Sequence, residues 1–161
     1  MNDLIGGCFE ENVLAGEHHK DIREKILQFE TELARHPNAV FGNDACPLKH
    51  TFVNGVYVRE ITMPKGMLLT SKIHKTEHPY FVLRGECSVL TEDKMVRIKA
   101  PYWGITKPGT KRILYMHEDT VWITVHATKL TTPEEVEEEI IAKDFSEIPP
   151  ELTSKEGLCL S

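Results

Sequence analysis

Apolar residues change their spacing twice along this chain. Between about Lys20 and Arg35, Ile22, Ile26, Phe29 and Leu33 return every three or four positions, which is one stripe of an amphipathic helix. Asp21 and Glu24 stand near its start and Arg35 near its end, as the helix dipole favours, and His36-Pro37-Asn38 stops it. From His50 to about Thr128 the signal is of short strands. Thr51 to Val53 and Val56 to Ile61 flank Asn54-Gly55, a tight hairpin turn. Further strands are predicted at Leu68 to Ile73, Tyr80 to Leu83, Cys87 to Leu90, Met95 to Ile98, Tyr102 to Ile105, Arg112 to Tyr115 and Val121 to Val125. Turn residues separate them at Pro64-Lys65-Gly66, Arg84-Gly85, Glu92-Asp93-Lys94 and Pro108-Gly109. So many short strands predict a sandwich or a closed barrel, since either arrangement deals with exposed edges.

After Thr128 the period lengthens again. Thr132-Pro133-Glu134-Glu135 has the form of a capping box with proline at the first helical position. Val136, Ile140 and Ile141 continue a short helix near 132–142. The remainder, through Ile148-Pro149-Pro150 to Ser161, reads as an irregular tail, and residues 1–15 show no period. The chain therefore divides into an N-terminal arm (1–47), a β-rich domain (48–130) and a C-terminal acidic helix and tail (131–161).

Charge sharpens this division. The net charge of −6 hides a first segment with nine acids and four bases, a middle one with seven acids and thirteen bases, and a last one with nine acids and two bases. A basic domain between acidic arms suits either arms folded against it or a domain that accepts an anion. Nucleic-acid binding is disfavoured, because the bases do not cluster and aromatic residues are not interleaved with them. No apolar run is long enough to cross a bilayer, so no membrane partner is expected. Met1-Asn2-Asp3-Leu4 has no basic segment leading into an apolar one, so a cytoplasmic location is expected. Cys8, Cys46, Cys87 and Cys159 form no C-x-x-C pair and are expected to stay reduced, with Cys87 packed in a strand.

The chemistry concentrates in Gly66-Met67-Leu68-Leu69-Thr70-Ser71-Lys72-Ile73-His74-Lys75-Thr76-Glu77-His78-Pro79-Tyr80-Phe81-Val82-Leu83-Arg84-Gly85-Glu86, and in Lys107-Pro108-Gly109-Thr110-Lys111-Arg112. These stretches, within residues 48–128, resemble the two motifs of the cupin superfamily. The first has a glycine, a strand with H-x-H, a glutamate and a closing glycine. The second has a proline-glycine turn followed by histidine. The resemblance implies an all-β fold: an antiparallel double-stranded β-helix, or jelly-roll barrel, here with N-terminal and C-terminal helical arms. It also implies a homo-oligomer. Aligned on Gly85, the four metal-ligand positions of the family fall on Lys72, His74, His78 and Arg112. Lysine and arginine hold a proton and a positive charge, so they are poor ligands. With only His74 and His78 left as donors, no stoichiometric metal and no other cofactor is expected, and a divalent metal stays as the alternative. It would recruit its third ligand from His50, His117 or His126, with Glu77 as an acid or base.

Strand alternation from Leu68 places Thr70, Lys72 and His74 on one face. The resemblance turns that face into the barrel and brings Arg112 in from the opposing sheet. Lys72, His74, His78 and Arg112 then make a ligand site for a small anion, with Arg112 gripping it bidentately. The alternative is internal pairing of Lys72 and Arg112 with Glu77, Glu86 or Asp119. Along the last strand, Val121, Ile123 and Val125 form the more apolar face, which predicts that His126 points away from the core. The wider pattern, including His117-Glu118-Asp119-Thr120-Val121-Trp122, resembles small cupin-like proteins encoded by tailed bacteriophages. That resemblance implies a host-cytoplasm or virion setting and phage structural proteins as partners. Three readings stand side by side: an anion-binding module, a metal-dependent enzyme, and a non-enzymatic assembly protein whose arms make the contacts.

Overall fold

The computed structural model describes residues 16–40 and 46–153; Cys8, Cys159 and most of the loop before Cys46 lie outside them. Helix α1 spans Gly16–Arg35. Ten strands follow: β1 (Leu48–Val53), β2 (Val56–Met63), β3 (Leu68–Thr70), β4 (Ile73–His74), β5 (His78–Arg84), β6 (Glu86–Leu90), β7 (Met95–Lys99), β8 (Tyr102–Thr106), β9 (Ile113–Met116) and β10 (Thr120–Ala127). Helix α2 (Pro133–Ile140) runs directly into a short strand β11 (Ile141–Ala142), then a 3-10 turn at Phe145–Glu147 and helix α3 (Pro150–Thr153).

The strands form two facing antiparallel sheets, ordered β1-β2-β10-β5-β8 and β3-β9-β6-β7, with β4 and β11 as a small third ladder. Strands β2 and β10 are neighbours although seven strands separate them in sequence. The hairpin at Asn54-Gly55 joins β1 to β2 with Val53 opposite Val56, and Gly55 takes the left-handed φ of 77° that such a turn demands. Gly85 is more constrained. Its φ is 90°, and an added Cβ would collide with the Asp119 carbonyl and lie 2.6 Å from Thr120 Oγ1. Gly85→Ala is therefore expected to cost about 3 kcal/mol or more, because backbone strain and a backbone clash act together. Gly55→Ala meets nothing within 4 Å and should cost only about 1 kcal/mol. Thermal melts of the two variants compare the costs directly.

The barrel interior has two halves. One is apolar, built from Met63, Tyr80, Val82, Cys87, Val89, Ile98, Leu114, Met116 and Trp122, with Cys46 closing it. Cys46 and Cys87 are both free and buried. The other half is polar and carries the site described below.

The described parts of both arms fold onto the barrel. Ile26 is buried, and Arg23 pairs with Glu92 and stacks its guanidinium 4.9 Å from the centre of the Phe145 ring. Glu30 accepts from Thr70 Oγ1 at 2.6 Å and from the buried Lys111 ammonium at 2.8 Å. Val136 and Ile140 of α2 pack on Tyr57. Thr132 caps α2 as its sequence predicts, accepting from the Glu135 amide. The segment beyond α2 is not irregular throughout. Ile148 is buried with Ile73 and Ala142, because β11 brings it against β4.

Candidate metal centre

Residues Thr120, Trp122, Thr124 and His126 of β10 are buried, while Val121, Ile123 and Val125 are only partly so. This inverts the expectation for His126. The polar face of β10 looks into the polar half of the barrel, and the β-branched apolar face forms part of the outer surface of the sheet. That outer surface also carries the exposed Leu83, Trp103 and Ile105.

The register explains what meets His126. Tyr57 lies opposite it on β2. Thr124 pairs with Tyr80 on β5, so His78 falls beside His126, with ring centroids 4.3 Å apart. His78 in turn faces Thr106 on β8. His74 enters from β4, whose edge pairs with β11 through Ile141, and its ring lies 4.4 Å from that of His78 and 5.8 Å from that of His126. One nitrogen from each of the three rings falls within 4.8 Å of the others. His74 Nδ1, His78 Nε2 and His126 Nδ1 are buried and have no hydrogen-bond partner.

The opposite nitrogens fix the donors. His78 Nδ1 donates to the Thr76 carbonyl at 3.1 Å, which leaves the lone pair on Nε2. His126 Nε2 lies 3.1 Å from Thr124 Oγ1; in the tautomer that donates there, Nδ1 holds the lone pair. All three rings are neutral at pH 7. Burial, followed by the charges of His78, His126, Arg112 and Arg59, pushes His74 down to about 2. Burial, then His78 and Arg59, takes His126 to about 3. Burial lowers His78 too, against the opposing bond to Thr76, and Arg112 adds to the lowering. A buried nitrogen without a partner costs about 1–3 kcal/mol, and here three converge.

Such a set suits a metal ion. Neutral imidazoles are good ligands for Zn, Cu, Fe and Ni, and three of them leave coordination positions open. Bonds of ~2.0–2.1 Å to one ion would draw the nitrogens closer together than the 4.8 Å that bounds them here. The argument from only two donors therefore does not hold, because the third comes from β10, outside both motifs. His50 instead hydrogen-bonds Tyr57 Oη through Nδ1 at 2.6 Å, and His117 bonds Ser88 Oγ at 2.7 Å.

The cations divide. Strand β3 ends at Thr70, and Ser71 and Lys72 interrupt the alternation before β4 begins. Lys72 is exposed and pairs with Glu137 of α2, so the structure does not bring it to the histidines. Glu77 pairs with Lys107 at the surface. Arg112 is buried and crosses the barrel to donate to Thr106 Oγ1 at 2.9 Å, its guanidinium 5.4 Å from the centre of the Tyr80 ring. Gly104 makes room for that ring, since a Cβ there would lie 2.7 Å from the Tyr80 hydroxyl. Lys111, its chain neighbour, points the other way, to α1.

Sequence comparison finds no matching family model and no matching curated protein. Solved structures are similar in shape. A cupin superfamily protein from Desulfitobacterium hafniense matches with a TM-score of 0.45 and 8% identity, over 55% of this chain and 82% of its own. A conserved Klebsiella pneumoniae protein with a double-stranded β-helix domain gives a TM-score of 0.46 at 19% identity, over 55% and 81%. KdgF from a Halomonas species gives 0.46 at 12%, over 55% and 84%. The barrel itself is two facing antiparallel sheets of five and four strands. At these identities the likeness concerns the fold alone. Within this barrel, Gly66 and Gly85 stand at the two turns that bracket β3 to β5, and His74, His78 and Arg112 all reach the interior. No helix among the described residues is long and apolar enough to cross a membrane.

Proposed function

We propose that this protein is a cupin-type metalloprotein that holds one divalent transition-metal ion on His74 Nδ1, His78 Nε2 and His126 Nδ1. The observation that carries this reading is the convergence of three buried, partnerless imidazole nitrogens within 4.8 Å. Bound there, the ion would supply a Lewis acid for an oxygen-bearing small molecule. The chain's own residues do the positioning. The Thr76 carbonyl and Thr124 hydroxyl orient His78 and His126, and the β4–β11 ladder holds His74.

The anionic ligand read from the sequence is kept, with a changed set of residues. Arg112 supports it: the guanidinium is buried beside the histidines and has no carboxylate partner among the described residues, whereas Lys72 is committed to Glu137. The assembly-protein reading has less support, since α1 and α2 bind the chain's own barrel. The bacteriophage setting rests on sequence resemblance.

The test is direct. Chelator-treated protein, titrated calorimetrically with zinc or cobalt(II), is expected to take up one ion per chain. Uptake no greater than that of an unrelated histidine-poor protein would end the proposal.

A further inference from the structure

Arg112 is not the only guanidinium in the polar half of the barrel. Arg59 lies on β2 between the inward-facing Tyr57 and Ile61, directly opposite Thr124 on β10. No carboxylate or hydrogen-bond acceptor partners its side chain among the described residues, although burial is strong enough to lower its pKa. The ion pairs of the described chain involve neither arginine. Placed on the sheet order β2-β10-β5-β8, the arrangement runs Arg59, His126, His78, then Thr106 with the Arg112 guanidinium bound to it. The two arginines thus stand on opposite flanks of the histidines. The electrostatics agree: Arg59 acts on His126, Arg112 acts on His78, and both act on His74.

Charge balance turns this placement into a statement about the ligand. Three neutral imidazoles leave a divalent ion with its full charge, and a guanidinium on each side adds to it. Buried groups with that much positive charge and, among the described residues, no carboxylate paired to either arginine are unfavourable until an anion enters. Arg59 is anchored on β2 and the Arg112 guanidinium is held at Thr106 on β8, three strand intervals along the sheet, about 14 Å. With Arg59 reaching inward from the β2 side and the Arg112 guanidinium already fixed on the β8 side, the space between suits a short molecule with an anionic group at each end, not a single small ion.

We propose that Arg59 and Arg112 form a two-sided clamp that seats a small dicarboxylate across the trihistidine centre, one carboxylate on each guanidinium. This rests on the metal reading above, and it assigns Arg59 a role that neither motif suggests.

The experiment uses zinc-loaded full-length protein and calorimetry with succinate, acetate and inorganic phosphate as probes. Succinate should bind at least tenfold more tightly than acetate. Arg59→Met and Arg112→Met should each weaken succinate roughly 10–100-fold, as loss of a charge-assisted bidentate contact does, while zinc stoichiometry stays at one per chain. Arg59→Lys and Arg112→Lys keep the charge without the fork and should fall between wild type and the methionine variants, which guards against a variant that fails to fold. Equal affinity for succinate and acetate, or phosphate alone binding, or succinate binding untouched by both arginine changes, overturns the clamp and leaves the metal centre standing. If zinc does not load, the metal reading fails, and the probes are run on the metal-free protein. Arginine-dependent succinate binding there upholds the clamp on its own, and its absence overturns the clamp as well.

Discussion

His126→Ala is expected to reduce zinc or cobalt affinity by on the order of 100-fold or more. Removing groups that merely orient a ligand costs about 10–100-fold, so loss of one of three ligands should cost at least that. The same change should leave the barrel folded, because it also removes a buried nitrogen with no partner. His50→Ala and His117→Ala are the matched controls. Both side chains already have partners outside the cluster, Tyr57 and Ser88, and neither change should alter metal uptake by more than a few-fold. Competitive titration against a colorimetric chelator measures all three. If His117→Ala or His50→Ala removed the metal and His126→Ala did not, the centre would be misplaced.

Acid should unfold the metal-free protein well above the usual carboxylate range. His74 and His126 have folded values of about 2 and about 3 against an ordinary 6.5, so the unfolded chain binds more protons than the folded one at any pH between those limits. Their contribution is fully present above about pH 6.5 and is lost as pH falls below it, down to the folded values. Between pH 7 and pH 5 the two together should remove about 3–4 kcal/mol, and His78, lowered in the same direction, adds to this. Urea melts at the two pH values measure the loss. A stability that stays flat across this interval would mean that the rings are not buried neutral. Zinc should move the fall to lower pH, because the ion holds the neutral rings that protons would otherwise claim.

The β-rich barrel and both flanking helices are legible in the sequence because their signals are local: an Asn-Gly turn, a capping box, a three-four apolar stripe. The site is only partly legible. His74, His78 and Arg112 follow from alignment to short motifs. Strand alternation puts Lys72 inside only if it is carried past Thr70, where the strand in fact stops and Ser71 donates its amide to the Arg112 carbonyl. The alternation in the sequence of β10 points His126 outward, because Val121, Ile123 and Val125 are the more apolar set. That rule fails where a barrel interior is itself polar and the outer sheet face is apolar. Arg59 carried a signal that was available, a charged residue in phase with Tyr57, Ile61 and Met63. The β4–β11 ladder carried none, since two residues are too few for a period.

That ladder has a consequence for how the protein is made. A chain leaves the ribosome from its N-terminus, so β2, β5 and β10 can close their sheet and bring His78 and His126 together before the residues after α2 have emerged. His74 is different. Its strand gains its edge partner only from Ile141 and Ala142, and the Lys75 amide that follows it donates to the Ile140 carbonyl. Until that segment is docked, the His74 backbone has one anchor in the barrel, the Gly109 amide that donates to its carbonyl at 2.9 Å, and lacks its strand partner. The other two imidazoles alone are too few to hold a divalent ion firmly. Firm ion capture would therefore await the docking of Ile141 and Ala142 against β4.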